Sequence, residues 1–382
     1  MKVTQIYDIV NATTEEVLGR TEVVQEDLSN IVDVGNEIID TDNVDNYVRK
    51  LVNHIGKVVF VNRKYEGGVP SVLMDSWEFG SVLEKVSADL PEATESDTWK
   101  LENGKSYDDD IFYQPSVSAK FFNSRVTFEI PMSFTEIQIK ESFSNVNQLN
   151  GFLSMLTTSI ENSMTVKLDN LIMRTINNMI GETLESNSKT RAVNLLSSFN
   201  AETGKTLTPE QAIKDPDFIQ YASYTIGLYS DRITRISSLF NGGSKERFTP
   251  ASQRHTVLLS DFAKASDIYL RSDIANKELI TLPEHETIPY WQGSGTEYDF
   301  ESVSKIDVIT SDKKTVKQSG ILGVMFDRHA LGVSNLDRRV TTNYNASAEF
   351  YTNFYKFDAG YFNDLNENFV VFYIAEDDTT GA

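Results

Sequence analysis

One apolar stripe constrains this chain of 382 residues more than anything else in it. Between Val146 and Ile180, Leu149, Phe152, Leu153, Leu156, Ile160, Met164, Leu168, Leu171, Ile172, Ile176 and Met179 recur at three- and four-residue steps. That spacing puts them on one face of a single long helix. Asn145 stands where an N-cap is needed, and Gln148 follows at capping-box spacing. Gly181 occupies the place of a C′ glycine that stops the helix. At about 1.5 Å per residue the rod reaches roughly 50 Å, beyond the usual globular helix. Such a rod suits a strut or a wall better than the lining of a pocket.

The rest of the chain supplies enough apolar material to bury the stripe. Hydrophobic residues make up 40%, which is compatible with real cores and argues against a disordered chain, and the length allows two or three domains. No segment approaches the roughly 18 apolar residues that cross a bilayer, so no membrane partner is expected. The first residues, Met1 to Ile6, lack the apolar core of a signal peptide. There is no cysteine, which excludes disulfides, thiolate nucleophiles and cysteine-based metal sites. The formal charge is −21, from 35 basic and 56 acidic residues. A surface so acidic repels phosphate backbones, so general nucleic-acid binding is not expected.

Along the chain, helical spacing recurs over 13–34 and 44–55, in segments too short and polar to form a core alone. Lys57–Val61 has the composition of a strand. Trp99–Glu102 and Lys105–Tyr107 flank Asn103-Gly104, a pair favoured in type I′ hairpin turns. Val126, Phe128, Ile130 and Met132 alternate with Thr127, Glu129 and Pro131, the pattern of a half-buried strand. Pro131 pushes that strand to a sheet edge or a bulge. Residues 62–134 thus form a long two-stranded excursion, and a bare hairpin is marginal in water, so it is expected to lie on a neighbouring subunit. A polar stretch spans 182–208. Asp215 then caps a second long helix with Pro216 at N1, its stripe running through Ile226, Tyr229, Ile233, Ile236 and Phe240 to Asn241-Gly242-Gly243. A strand at 255–259, a helix at 261–272 and strands at 305–310, 321–326 and 338–350 follow. Phe369 to Ile374 is a continuous apolar run typical of a central strand. Helices and strands without regular alternation predict an α+β fold.

Chemistry-bearing constellations are scarce. His54, His255, His285 and His329 share no metal-ligand spacing, and no G-x-S-x-G elbow occurs. Asp40, Asp42 and Asp45 fail the calcium-loop spacing, with Leu51 where Glu is needed. Gly293-Ser294-Gly295 lacks a third glycine, and Gly320 with Gly323 makes no P-loop. No cofactor or metal is expected. An enzymatic alternative rests only on acids such as Asp327 or Glu376 acting as a pair. The aromatic run Tyr344, Phe350, Tyr351, Phe354, Tyr355, Phe357, Tyr361 and Phe362 holds one basic residue, Lys356. Nucleobase stacking surfaces interleave aromatics with bases, so this run is read as core and interface packing.

Several strings resemble the major capsid proteins of tailed double-stranded DNA bacteriophages, the Hong Kong ninety-seven type. They are Glu16-Val17-Leu18-Gly19, Glu26 to Asp33, Phe121 to Pro131, Gly323 to Arg328 and Asn366 to Tyr373. Their order over roughly 10–375 weighs more than any one of them. The resemblance implies an N-terminal arm at 1–60 and an extended hairpin loop at 62–134. It implies a peripheral domain at 135–189 with a spine helix at 146–180, an axial domain at 190–325, a return to the peripheral domain over 326–375 and a tail at 376–382. It further implies a structural, non-enzymatic subunit that self-assembles as hexamers and pentamers into an icosahedral shell around phage DNA. A separate scaffolding protein and a portal protein are the implied partners. The packaged DNA is touched only non-specifically, and the shell is built in the host cytoplasm. Trp77, Phe79, Trp99, Asn103, Gly104, Leu156, Phe354 and Tyr355 are the candidate assembly contacts. Some relatives cross-link Lys to Asn, and Lys85, Lys100 and Lys105 lie in the loop without an identifiable partner. An encapsulin-like nanocompartment shell and a minor phage structural protein are the alternatives.

Overall fold

The computed structural model describes residues 3–19, 24–25, 30, 32–34, 37, 46–47, 50, 70–74, 83–91, 93, 95–96, 99–106, 112, 114–135, 146–272, 282–293 and 298–376. Among them the helices are α1 (Val3–Leu18), α2 (Val146–Glu185), α3 (Leu195–Thr203), α4 (Pro209–Ala212), α5 (Pro216–Arg232), α6 (Ser260–Ser272) and α7 (Phe300–Val303). The strands are β1 (Leu73–Met74), β2 (Leu83–Ala88), β3 (Val117–Phe122), β4 (Arg125–Thr135), β5 (Ala192–Asn194), β6 (Arg254–Leu259) and β7 (Glu286–Ile288). They continue with β8 (Ile306–Ile309), β9 (Thr315–Gln318), β10 (Ile321–Asp327), β11 (Leu331–Asn345), β12 (Phe350–Asn363) and β13 (Phe369–Tyr373). The fold is α+β.

The spine is α2, 40 residues long, or about 60 Å. Its middle keeps the sequence stripe, with Ile160, Met164, Leu168, Leu171 and Ile172 buried. Its C-terminal part departs from a one-faced helix, because Thr175, Ile176, Asn177, Met179, Ile180 and Thr183 are all buried. There the helix passes between a sheet and the β8–β9 ribbon, so it needs apolar or self-satisfied groups all round. Thr175 and Thr183 meet that need by donating to the carbonyls of Leu171 and Met179, one turn back, at 2.7 and 2.8 Å.

Gly181 is not the stop expected from the sequence. It lies inside α2, and a Cβ there would stand 2.5 Å from Val308 Cγ2 on β8. This glycine marks a close approach between helix and ribbon, and the helix runs on to Glu185. The expected cap Asn145 lies outside the described residues, as do Lys57–Val61, Asp40, Asp42, Asp45 and most of 44–55. The first helix begins at Val3, ten residues before the expected 13–34 segment, and stops at Gly19, whose φ of 69° and N–H to the Glu15 carbonyl form a left-handed cap.

Two sheets flank the spine. A four-stranded sheet has the order β1-β11-β12-β4. The edge position of β4 accommodates Pro131, as its residue type requires. A five-stranded sheet has the order β5-β13-β10-β6-β7. Its central strands are apolar on both faces because both faces are covered. Phe369 and Val371 of β13, Val324 and Phe326 of β10, and Val257 and Leu259 of β6 join the spine core. The alternate residues Val370, Phe372, Met325 and Leu258 join a second core with Phe199 of α3, Phe218 and Ile226 of α5, and Phe262 of α6. Two-sided burial explains the uninterrupted run at the chain's C-terminal end.

Three expectations change. The polar stretch 182–208, to which the sequence assigned no element, holds β5 and α3; Asn194 caps α3 by accepting from the Ser197 N–H at 3.2 Å, so a polar residue there marks a helix start. The helix capped by Asp215 ends at Arg232, not at Asn241, and Ile236 beyond it is exposed. The expected strand at 338–350 is two long strands, β11 and β12, paired antiparallel from Leu331↔Asn363 to Asn345↔Phe350. The aromatic run belongs largely to β12.

Candidate assembly surfaces

No helix of the described residues is long and apolar enough to cross a membrane, and none of their His, Cys, Asp and Glu side chains group to hold a metal. Asp327 is in structural use: its carboxylate accepts from Thr249 Oγ1 and from the His329 N–H, each at 2.8 Å. His255 stacks on Phe326, with ring centroids 5.5 Å apart, and burial holds its pKa below the ordinary histidine value. The described surface also exposes apolar side chains on a hairpin.

That hairpin is β2 with β3, in register from Leu83↔Phe122 to Ala88↔Val117. The sequence placed the paired strands at 99–107, around Asn103-Gly104. The structure places them further out, and Trp99 to Ser106 belong to the long connection between them. Asn103-Gly104 does form a turn, with Lys105 N–H to the Glu102 carbonyl at 3.3 Å. Positive φ falls on Gly104 alone (87°), the sign pattern of a type II turn rather than of type I′. The short apolar/polar alternation in 83–88 and 117–122 was the signal for the true strands.

Strand alternation gives the hairpin two unlike faces. The inner face, Leu83, Lys85, Ser87, Ser118, Lys120 and Phe122, is half-buried against the body. Phe122 meets Phe362 of β12 with centroids 5.1 Å apart. Lys85 and Lys120 both reach Asp364, each at 2.9 Å, and Lys85 also pairs with Glu367 at 2.7 Å. Burial disfavours charge on Asp364, but hydrogen bonds from the two lysines outweigh it and hold the carboxyl below the usual range. At the far end of the ladder, Asp89 pairs with Lys245 at 2.8 Å and accepts from Ser116, and these two bonds lower its pKa. Lys85 is thereby committed within its own chain, while Lys105 sits 3.7 Å from Glu102.

The outer face is Glu84, Val86, Ala88, Val117, Ala119 and Phe121, all exposed. The connection beyond it adds Leu90, Leu101, Phe112 at 84% exposure and Trp99 at 97%. Large apolar side chains left in solvent on one strand face and its connection are the kind of feature found at interaction sites.

The candidate contacts therefore divide. Trp99, Asn103 and Gly104 are exposed on the hairpin connection. Phe354 is half-buried on β12, with Lys356 Nζ 5.9 Å from its ring centroid. Tyr355 is a correction: it is wholly buried within its own chain and offers nothing to a neighbour, because strand alternation turns it to the opposite side from Phe354. Leu156 lies on the spine helix, in the stretch whose side chains are outside the described set, and Trp77 and Phe79 lie outside the described residues. Val86, Val117 and Phe121, exposed on the outer face of the hairpin, are not among the candidate contacts the sequence singled out.

Residues 10–373 match the family described as Phi29-like phage major capsid protein. The major capsid protein of Bacillus phage GA-1 is 26% identical over 175 residues, a match that takes in 43% of this chain and 34% of that protein. The match spans about a third of the length of that curated relative. Among solved structures, a chain of the Staphylococcus phage Andhra capsid has a TM-score of 0.51 at 11% identity, covering 83% of this chain and 88% of that one. A chain of the Cyanophage P-SCSP1u capsid has a TM-score of 0.49 at 10% identity, covering 83% and 94%. The Andhra likeness is one of fold. With the family match running over nearly the whole length, the chain belongs to the Phi29-like phage major capsid protein family.

Proposed function

We propose that this chain is the repeating subunit of a phage head: many copies associate as hexamers and pentamers into an icosahedral shell that encloses a double-stranded DNA genome. The observation that carries the reading is the hairpin, whose outer face and connection expose Val86, Phe121, Phe112 and Trp99. A free subunit gains nothing from that exposure. Full burial of each large side chain contributes about 1.5–3 kcal/mol before entropic costs. Repeating such a contact around a closed lattice makes the assembly cooperative without any single tight bond.

The reading extends to parts of the chain and to partners. Residues 1–60 serve as an arm, 62–134 as the reaching loop, 135–189 and 326–375 as a peripheral domain and 190–325 as an axial domain. Assembly takes place in the host cytoplasm with a separate scaffolding protein and a portal. DNA is contacted only non-specifically, in keeping with the net charge of −21.

Expression of the full chain, with and without a scaffold from the same genome, tests this by sedimentation and electron microscopy. Closed shells of uniform size are expected. A chain that stays monomeric under both conditions would falsify the reading, and shells filled with protein cargo would move it to a nanocompartment.

A further inference from the structure

The hairpin is a reaching element only if something sets the direction in which it leaves the body. β2 and β3 carry Lys85 and Lys120 opposite each other in register, on the inner face. Both converge on one carboxylate: Lys85 Nζ lies 2.9 Å from Asp364 Oδ2, and Lys120 Nζ 2.9 Å from Asp364 Oδ1. Each strand is thus tied to its own oxygen of a single side chain that is 2% exposed.

Asp364 is in turn held firmly by the body. It follows β12, and its N–H donates to the Ala330 carbonyl at 2.7 Å. Its Oδ1 also accepts from the Asn366 N–H at 3.1 Å, and its carbonyl accepts from the Glu367 N–H at 3.2 Å. Lys85 gains two further anchors on the same side, the His329 carbonyl at 3.1 Å and Glu367 at 2.7 Å. Two lysines on one buried carboxylate, one from each strand, resist both tilting and rolling of the ribbon. A single exposed ion pair could not do this, because such pairs contribute little and hold no fixed geometry. Here the carboxylate is buried although the lysines keep partial exposure, Lys85 at 21% and Lys120 at 41%, so removing them leaves a buried charge without its charge-assisted partners, which is disruptive.

We propose that Asp364 is the positioning residue of the hairpin: by clamping Lys85 and Lys120 it fixes the angle between hairpin and body, and so decides which neighbouring copy the outer face can meet. This rests on the shell reading for its consequence but not for its geometry. A clamp that holds one angle favours one curvature; a loose ribbon meets neighbours at several angles.

The absence of cysteine from the chain allows a direct measurement. Ala119→Cys, on the exposed outer face of β3, and Asp231→Cys, exposed near the end of α5, carry spin labels on the full unassembled chain. Double electron–electron resonance then reads the distance between hairpin and body. The expected result is one narrow distance maximum for the parent and loss of that maximum for Asp364→Asn. Glu129→Gln, which removes a cross-strand pair with Lys356 on the sheet instead, keeps the maximum. A distribution unchanged in a folded Asp364→Asn chain overturns the proposal. Should that variant fail to fold, Lys85→Gln with Lys120→Gln answers from the hairpin's side, where retention of the narrow maximum overturns the proposal equally. In assembly, a spread of particle diameters for Asp364→Asn against uniform parent particles is the expected consequence. Failure of the parent itself to form particles bears on the shell reading alone, since the distance measurement does not need a shell.

Discussion

Gly181 and Asp364 show how much a single position can carry in this chain. Gly181 has the look of a helix stop, yet it sits mid-helix because a Cβ would collide with Val308 across the α2–β8 contact. Gly181→Ala improves helix propensity and still destabilises, by up to about 2 kcal/mol, because an overpacking cost of about 1–3 kcal/mol outweighs the gain of roughly 1 kcal/mol in propensity. A urea unfolding midpoint equal to or above that of the parent would contradict this. Asp364 has a folded pKa below its unfolded value of about 3.9, so its contribution is complete above that value and is lost as pH falls through the folded one. The gap in Tm between the parent and Asp364→Asn should hold steady above about pH 5 and close toward pH 2. A gap that is flat across this range would show that the clamp is not electrostatic.

At the scale of elements, the spine and the hairpin answer to opposite demands. From Ile160 onward the spine's buried side chains serve the subunit's own core. Ile172→Ala, at a wholly buried site, should cost about 2–5 kcal/mol in unfolding free energy; a loss under about 1 kcal/mol would mean that the helix does not pack as described. The hairpin's outer face is exposed and, in the proposed function, is free for contacts outside the subunit. Val86→Ser with Phe121→Ser should leave unfolding within about 0.5 kcal/mol of the parent, since both side chains are exposed. The same pair should sharply reduce the particle yield in sedimentation, and undiminished yield would remove this face from assembly. Elements with strong local signals were legible from the chain alone: Asp215-Pro216 at the start of α5, the alternation of β4 and the apolar run of β13. Those with mixed signals were not. α3 hides in a polar stretch because its cap and exposed face are polar, and β12 reads as an aromatic cluster because it is buried along most of its length. The hairpin was placed on its loop because Asn103-Gly104 is a stronger local signal than the modest alternation at 83–88 and 117–122.

For the whole molecule, net charge and apolar reach oppose each other. Subunits at −21 repel one another, and that repulsion is screened over about 10 Å at 0.1 M salt. Assembly followed by light scattering should therefore speed up as sodium chloride rises from low ionic strength, until screening is complete. A rate that falls with salt throughout would point to attractive charge contacts between subunits. The amino-acid sequence by itself determined the α+β class, the long spine, the absence of thiol chemistry and the acidic surface, because each follows from composition or from periodicity within one segment. Only the tertiary structure decided where the spine ends, which strands form the hairpin and that Asp364 receives lysines from both of them. The Asp364 contacts join residues 244 and 279 positions apart in the chain, and the spine and hairpin features also rest on contacts between separate segments, about which local pattern carries no information.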